Sequence, residues 1–211
     1  MKICIFSPNF KTGGAQRNSI NLANYYKKLN YDITILTLNN SGDLYNQLNN
    51  DVKRYNLSTH KISFSIFKIN KYLNKEKFDV IISMIQETNI ILGISSIFSS
   101  YKSIILGREA NTLNKVKNLN FIVRIIYKFI LKFAYSQLHG IISNSNDTRN
   151  DLYEMNIKSK KNINRIIYNP VIDKENYKHQ RSNLFKHKWE NVEYKKILIV
   201  GRLVEQKNHK F

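Results

Sequence analysis

Residues 1–29 read MKICIFSPNFKTGGAQRNSINLANYYKKL, and this stretch decides the fold. Its first run, Lys2 to Ser7, is apolar without alternating polar positions, as expected of a parallel strand that is covered on both faces. Two glycines, Gly13 and Gly14, then precede a helical pattern from Ala15 to Leu29. A strand, a glycine turn and a helix in this order predict the start of a βαβ unit.

The same alternation of short apolar runs and longer helical patterns continues to residue 170. Further strands are predicted at Asp32 to Leu38, Val52 to Leu57, Asp79 to Met84, Ser103 to Leu106, Gly140 to Ser143 and Arg165 to Tyr168. Helices are predicted at Ile66 to Asn74, Asn89 to Ile97, Leu119 to Gln137 and Asn146 to Met155. The sequence therefore predicts an α/β domain, a Rossmann-like parallel sheet with helices on both faces.

The periodicity fades after Asn169-Pro170, and a new apolar run follows at Lys195 to Val200. We therefore predict a first domain over residues 1–173 and a linker over 174–193. Residues 194–211 are expected to begin a second domain.

Composition excludes several classes of protein. Hydrophobic residues make up 42% of the 211 residues and charged residues 23%, which is typical of a globular protein and not of a disordered chain. The single Cys4 excludes an internal disulfide framework and favours a reducing compartment. The histidines show no metal-ligand spacing, so no metal site is expected. No secretory signal or spanning helix is expected either, since the apolar runs are short or interrupted by Lys and Arg.

The formal net charge is +19, which implies an anionic partner or surface, or a compositional bias toward Lys and Asn. Many Tyr and Phe among the Lys leave a nucleic-acid-binding protein open as an alternative. The aromatic residues fall mostly within apolar, core-like runs, and no RNA-recognition motif is present. We therefore expect no nucleic-acid partner.

Gly13 and Gly14 lie between the first strand and the first helix, where a backbone turn at a positive helix end can approach a phosphate. The surrounding residues match neither the dinucleotide-binding fingerprint nor the P-loop. A plain tight turn into the helix is the structural alternative.

Four segments occur in a specific order along the chain. They are Ser7 to Arg17, Leu106 to Asn111, Ile142 to Ser145 with Tyr168 to Asp173, and Val200 to Lys207. In this order they resemble bacterial glycosyltransferases of family 4, whose two facing Rossmann-like domains form the B-type glycosyltransferase fold. The resemblance implies that this chain is the amino-terminal half of such a fold.

The resemblance also implies a reaction. In that family a sugar passes from a nucleotide-sugar, here expected to be a UDP-sugar, with retention at the anomeric carbon and no metal or other cofactor. Arg202 and Lys207 match the positions that hold the donor diphosphate, which Gly13 and Gly14 would face from the first domain; a solvated basic turn is the alternative for Arg202 and Lys207. The family's principal glutamates are expected beyond Phe211, so these residues alone are expected to lack full turnover.

Polar residues at the predicted carboxyl ends of two strands are candidate acceptor contacts, because open parallel sheets bind ligands at that edge. These candidates are Gln86, Glu87, Arg108, Glu109 and Asn111, and Arg17 of the glycine segment is added to them. Family members often carry His or Glu-Arg where this chain has Arg108-Glu109. That departure leaves a local ion pair between the two side chains as the alternative.

The helix predicted near residue 130 combines charge with unusual hydrophobicity. Arg124, Lys128 and Lys132 recur every fourth residue, which makes one basic stripe on a helix whose other faces are almost entirely apolar. Lys115 and Lys117 add charge upstream. We interpret this segment as a contact with an anionic membrane surface. The alternative is a core helix whose lysines extend to solvent.

The main hypothesis is therefore a retaining glycosyltransferase that uses a nucleotide-sugar and a lipid-linked or polysaccharide acceptor in bacterial surface glycan synthesis. It is expected in the cytoplasm, bound peripherally to the inner face of the cell membrane. A nucleotide-binding module without transferase activity is the other alternative.

Overall fold

The computed structural model describes residues 1–59, 62–100, 102–111 and 120–170, together with the isolated positions 193, 195 and 197. The chain divides into two units, Met1–Pro170 and Val171–Phe211, and the fold given below is that of the first. The predicted linker and second-domain strand lie largely outside the described residues, so those domain boundaries stay predictions.

In the described part of the chain, seven parallel strands form one sheet, which confirms the predicted fold class. The strands are β1 (Lys2–Ser7), β2 (Asp32–Thr37), β3 (Lys53–Asn56), β4 (Val80–Ser83), β5 (Ile104–Glu109), β6 (Gly140–Ser143) and β7 (Asn164–Ile166). Their order across the sheet is β3-β2-β1-β4-β5-β6-β7. The prediction for β5 was too short, since the strand runs past Leu106 and pairs Glu109 with Ser143 of β6. The polar residues at the end of β5 had hidden its continuation.

Helices connect the strands. The described helices are α1 (Gly14–Lys28), α2 (Ile62–Glu76), α3 (Gln86–Ile97), α4 (Phe121–Ser136) and α5 (Asn146–Glu154). A short 3₁₀ turn at Asp43–Gln47 was not predicted. Helix α3 begins three residues before the prediction, because the Thr88 hydroxyl accepts a hydrogen bond from the backbone N–H of Ile85 and so closes the first turn.

Both faces of the sheet are buried along its inner strands, as their apolar sequences predict. Along β1, Ile3 and Ile5 pack in one core with Ile20 of α1. Cys4 and Phe6 alternate to the other face and belong to the core that contains residues of α2, α3, α4 and α5. The helices therefore cover the sheet on both sides.

The connections diverge between β1 and β4. From β1 the chain crosses to β2 on one side, whereas from β4 it crosses to β5 on the other. In open parallel sheets the crevice at such a point, outside the carboxyl ends of the strands, is where ligands bind. The turns that follow β1, β4 and β5 therefore define the edge at which a site is expected.

Candidate active site

The turn after β1 presents an open helix N-terminus. Gly13 is the N-cap of α1, with extended backbone and no side-chain hydrogen bond, and the first turn contains no acidic residue. A Cβ atom added to Gly14 would meet nothing within 4 Å. Backbone N–H groups in this first turn are thus left without a side-chain cap, in a position that favours an anion.

Backbone hydrogen bonds join the segment that leads into this turn to the segment after β2. The backbone N–H of Phe10 donates to the carbonyl oxygen of Ser41 at 2.8 Å, and that of Leu44 donates to the carbonyl of Phe10 at 3.1 Å. Gly42 has φ 119° and lies so close to the Phe10–Lys11 backbone that an added Cβ atom would be 2.1 Å from the backbone of Lys11. Glycine is therefore required at position 42. Nothing in the sequence pattern had connected this glycine with the turn at Gly13.

The start of α3 lies after β4, the neighbour of β1. Ser83 donates to the Thr88 hydroxyl at 2.8 Å, which fixes the first turn of the helix. Gln86 is half-buried and accepts a hydrogen bond from the Tyr127 hydroxyl of α4 at 3.0 Å, whereas Glu87 is exposed. Of these two predicted acceptor contacts, Glu87 has the freer side chain.

Arg108 lies within β5, not in a loop after it, and is 7% exposed. Its guanidinium donates to the carbonyl oxygen of Met84 at 3.4 Å and to the side-chain oxygen of Asn169. Burial lowers the pKa of Arg108, and the charge of Glu109 opposes that shift. The side chain thus ties the end of β5 to the end of β4 and to the segment that follows β7.

Glu109 ends β5 and is 1% exposed. Its carboxylate accepts a hydrogen bond from the Tyr135 hydroxyl of α4, and that hydroxyl accepts one from the Asn89 amide of α3 at 2.9 Å. Burial raises the pKa of Glu109 to about 7, although the hydrogen bonds from Tyr135 and from the backbone of Asn111 and Ala110 lower it. Adjacent side chains on a strand point to opposite faces, so Glu109 and Arg108 take different partners.

The remaining predicted positions divide between exposed and undescribed residues. Arg17 is exposed on the first turns of α1, and Asn111 is exposed after β5. The predicted positions outside the described residues are Lys115, Lys117, Arg202 and Lys207. The structure thus places Gly13, Gly14, Gln86, Glu87, Arg108, Glu109 and Asn111 at the ends of neighbouring strands or in the turns that follow them, and their individual roles stay predictions.

Tyr135, Asn144 and Asn169 contribute contacts here that the sequence analysis had not assigned to a site. The amide of Asn144 donates to the carbonyl oxygen of Ala110 at 2.7 Å. Tyr135 carries a hydroxyl on the buried side of an otherwise apolar helix, where a polar partner is required. The sequence signal that could have identified Tyr135 is its polar hydroxyl at a position on the buried face of α4.

Helix α4 is buried along a narrow face only. Leu131, Ala134 and Tyr135 are buried, and a Cβ atom on Gly93 of α3 would be 2.2 Å from the carbonyl oxygen of Ala134. The two helix backbones therefore approach closely at Gly93. Large apolar side chains that are at least 36% exposed cover the rest of α4: Phe121, Ile122, Val123, Ile125, Ile126, Phe129, Ile130 and Phe133. Arg124 and Lys128 are half-buried beside this face and Lys132 is exposed.

No helix within the described ranges is both long and apolar enough to cross a membrane. In the same ranges no cluster of three or more His, Cys, Asp or Glu side chains is arranged to hold a metal ion.

Residues 12–175 match the sequence profile of Glycosyltransferase Family 4. This range contains the glycine turn and the candidate residues at the carboxyl edge of the sheet. The chain belongs to glycosyltransferase family 4. The predicted family is thereby confirmed, over most of the unit that forms the sheet.

One similar protein comes from Campylobacter jejuni. It is named GalNAc-α-(1→4)-GalNAc-α-(1→3)-diNAcBac-PP-undecaprenol α-1,4-N-acetyl-D-galactosaminyltransferase. The identity is 30% over 139 residues, which cover 61% of this chain and 38% of the relative.

Solved glycosyltransferase structures share the fold. Anabaena Alr3699/HepE, solved in complex with UDP-glucose, matches with a TM-score of 0.61 at 14% identity, over 86% of this chain and 49% of that one. The lipopolysaccharide outer core galactosyltransferase WaaB, solved in its apo form, matches with a TM-score of 0.57 at 14% identity, over 81% of this chain and 46% of that one. The chain thus spans about half the length of these proteins.

Proposed function

We propose that the protein transfers a sugar from a nucleotide-sugar, specifically a UDP-sugar, to a lipid-linked or polysaccharide acceptor, with retention at the anomeric carbon. The observation that carries the proposal is the family match over residues 12–175, in a chain whose uncapped α1 N-terminus lies beside the divergence of β1 and β4. Its wider setting is the synthesis of bacterial surface glycans.

The donor end of the site has a physical rationale. When the bond between sugar and phosphate breaks, negative charge develops on the leaving diphosphate, and fixed helix ends and cations stabilise it. The first turn of α1, at Gly13 and Gly14, would supply backbone N–H groups. Arg202 and Lys207 would supply the cations. A UDP-glucose complex of a protein with the same fold supports the choice of nucleotide.

The acceptor end would lie across the turns after β4 and β5. Exposed Glu87 and Asn111 would contact the acceptor, and exposed Arg17 of α1 is a further candidate. The name of the Campylobacter relative contains a diphospho-undecaprenol acceptor, which supports a lipid-linked substrate for this protein.

A lipid-linked acceptor requires the enzyme to work at a membrane surface, and α4 supports such a contact. Eight large apolar side chains of this helix are exposed, and Arg124, Lys128 and Lys132 border them. Apolar side chains beside a row of cations are the pattern of a helix that lies in an anionic membrane interface. We place the protein at the cytoplasmic face of the cell membrane, with Lys115 and Lys117 adding to the contact.

Calorimetric titration of UDP into the full-length protein tests the donor assignment. We expect binding, and Arg202→Ala is expected to weaken it by about 1.5–3 kcal/mol, the scale of a hydrogen bond to a charged group. Arg165→Ala removes an exposed arginine from β7 and serves as the matched control. Absence of binding to UDP and to GDP would refute a transferase that uses a UDP-sugar or a GDP-sugar and would favour the nucleic-acid-binding alternative.

The nucleic-acid alternative makes a different prediction. Binding through phosphate contacts weakens steeply between roughly 50 and 200 mM salt. Binding of UDP in a cleft should change little over the same range, so parallel titrations at the two salt concentrations separate the two functions.

A further inference from the structure

Glu109 is a buried acid at the carboxyl edge of the sheet, and the proposed reaction gives its carboxylate no role. At 1% exposure it is closed to an acceptor sugar. Its hydrogen bonds come from the protein itself, namely from the Tyr135 hydroxyl and from the backbone N–H groups of Ala110 and Asn111.

These contacts join three elements at one point. Tyr135 belongs to α4, and its hydroxyl accepts from the amide of Asn89 in α3. The same Asn89 amide donates to the carbonyl oxygen of Arg108 in β5 at 3.1 Å. The backbone that leaves β5 is thus fixed to both neighbouring helices through one carboxylate and one phenol.

The turn after β5 is held from its other side as well. The backbone N–H of Asn144 donates to the carbonyl oxygen of Glu109 at 3.3 Å, and the Asn144 amide donates to that of Ala110 at 2.7 Å. With its carbonyls held by Asn144, which directly follows β6, and its N–H groups held by the Glu109 carboxylate, this turn can present Asn111 in one geometry.

We propose that Glu109 is a positioning residue, whose buried carboxylate fixes the backbone of Ala110 and Asn111 and joins it to α4 through Tyr135. The importance of this turn for the acceptor rests on the proposed function. The positioning role itself rests on the contacts alone.

The proposal carries a pH dependence. An ionised carboxylate accepts from all three donors, whereas protonation removes the charge that strengthens these hydrogen bonds. The titratable and charged groups that face Glu109 are Tyr135 and Tyr127 of α4, Glu87 of α3 and Arg108 of its own strand. Burial and the like charge of Glu87 both favour the protonated carboxyl, so its titration falls near neutral pH.

Amide hydrogen exchange at Ala110 and Asn111, resolved by NMR in the full-length protein, tests the proposal. After correction for intrinsic exchange rates, we expect protection of these amides against local openings that leave the carboxylate buried beside Tyr135 to fall about tenfold between pH 8 and pH 6, as a charged hydrogen bond is lost. Openings that expose the carboxylate to water have the opposite pH dependence, because the raised pKa of Glu109 then returns to its ordinary value. In Glu109→Gln, protection should be low and independent of pH. Tyr135→Phe should lower protection at pH 8, whereas Tyr153→Phe, at an exposed tyrosine of α5, should not.

Protection in the wild-type protein that does not change with pH would overturn the proposal, and this measurement needs no variant. Unchanged protection in a folded Tyr135→Phe protein would overturn the link to α4. Because exchange is measured without ligand, the result is independent of whether the protein binds UDP.

Discussion

Removal of two apolar side chains from the exposed face of α4 tests whether that face enters a bilayer. Ile122 and Phe129 are each 70% exposed and lie seven residues apart, on the same side of the helix. The double substitution Ile122→Ser with Phe129→Ser leaves the buried Leu131, Ala134 and Tyr135 untouched. The fold should therefore be unaffected.

The magnitude follows from the exposed surface. Full burial of an Ile or Phe side chain stabilises by about 1.5–3 kcal/mol, so a side chain with two thirds of its surface available contributes about 1–2 kcal/mol on insertion. The double variant should lose about 2–4 kcal/mol of membrane affinity, roughly 30-fold to 900-fold.

Charge contributes separately. Each cation near an anionic surface is worth about 1 kcal/mol, so substitution of Arg124, Lys128 and Lys132 by Glu should abolish binding to anionic vesicles. Lys71 and Lys75 of α2 and Lys158, which follows α5, are exposed lysines outside α4. Their joint substitution by Glu makes the same change in net charge and should reduce binding far less.

Co-sedimentation with vesicles of phosphatidylglycerol and phosphatidylcholine measures both effects, and vesicles of phosphatidylcholine alone report the apolar contribution. Sedimentation of the serine double variant at the wild-type level would refute insertion of α4. Sedimentation velocity without lipid gives the other decisive result: a wild-type dimer that becomes a monomer in the serine variant would show that a second copy covers this face.

Two further predictions concern the site. Gly14→Asp should weaken UDP binding by about 1.5–3 kcal/mol, because it adds a negative charge where the diphosphate is expected. It should not lower the free energy of unfolding, since an acid in the first turn favours the helix. Gly14→Ala is the control, and equal UDP affinity in the wild-type protein and both variants would exclude this turn from the donor site. The pKa of Glu109 is raised from 4.5 to about 7 in the folded protein, so the folded state binds the extra proton and its stability falls as pH rises between these two values. In urea unfolding, the free energy of unfolding of the wild-type protein should therefore fall by about 3 kcal/mol more than that of Glu109→Gln over this range. Parallel pH profiles for the two proteins would contradict the shift.

Apolar runs made the sheet predictable from the sequence. Strands buried on both faces are usually apolar along most of their length, and the runs at β1 and β6 have the predicted bounds. The end of β5 was not predictable in the same way, because Arg108 and Glu109 are polar residues in a buried strand. Their burial depends on Asn169, Tyr135 and other partners distant in sequence, which no local pattern contains.

Partners distant in sequence explain the rest of the difference in the site. The glycine turn after β1 was predicted because a turn depends on local backbone geometry. The glycine that supports it, Gly42, belongs to a different connection and is required only because Phe10 and Lys11 pass close to it. Short-range signals therefore located the edge of the sheet, and tertiary contacts determined which side chains there are free.

Helix α4 shows how the two kinds of information combine. Its sequence predicted an amphipathic surface, but almost every position was apolar, so the pattern left the buried face undefined. The close approach at Gly93 and the hydrogen bond from Tyr127 to Gln86 define it. On the opposite side the apolar residues remain exposed, while Tyr135 on the buried side contacts Glu109. One helix thus carries both the proposed membrane face and the Tyr135 hydroxyl that contacts Glu109. If both proposals hold, displacement of α4 at a membrane would reach Asn111 through Tyr135 and Glu109.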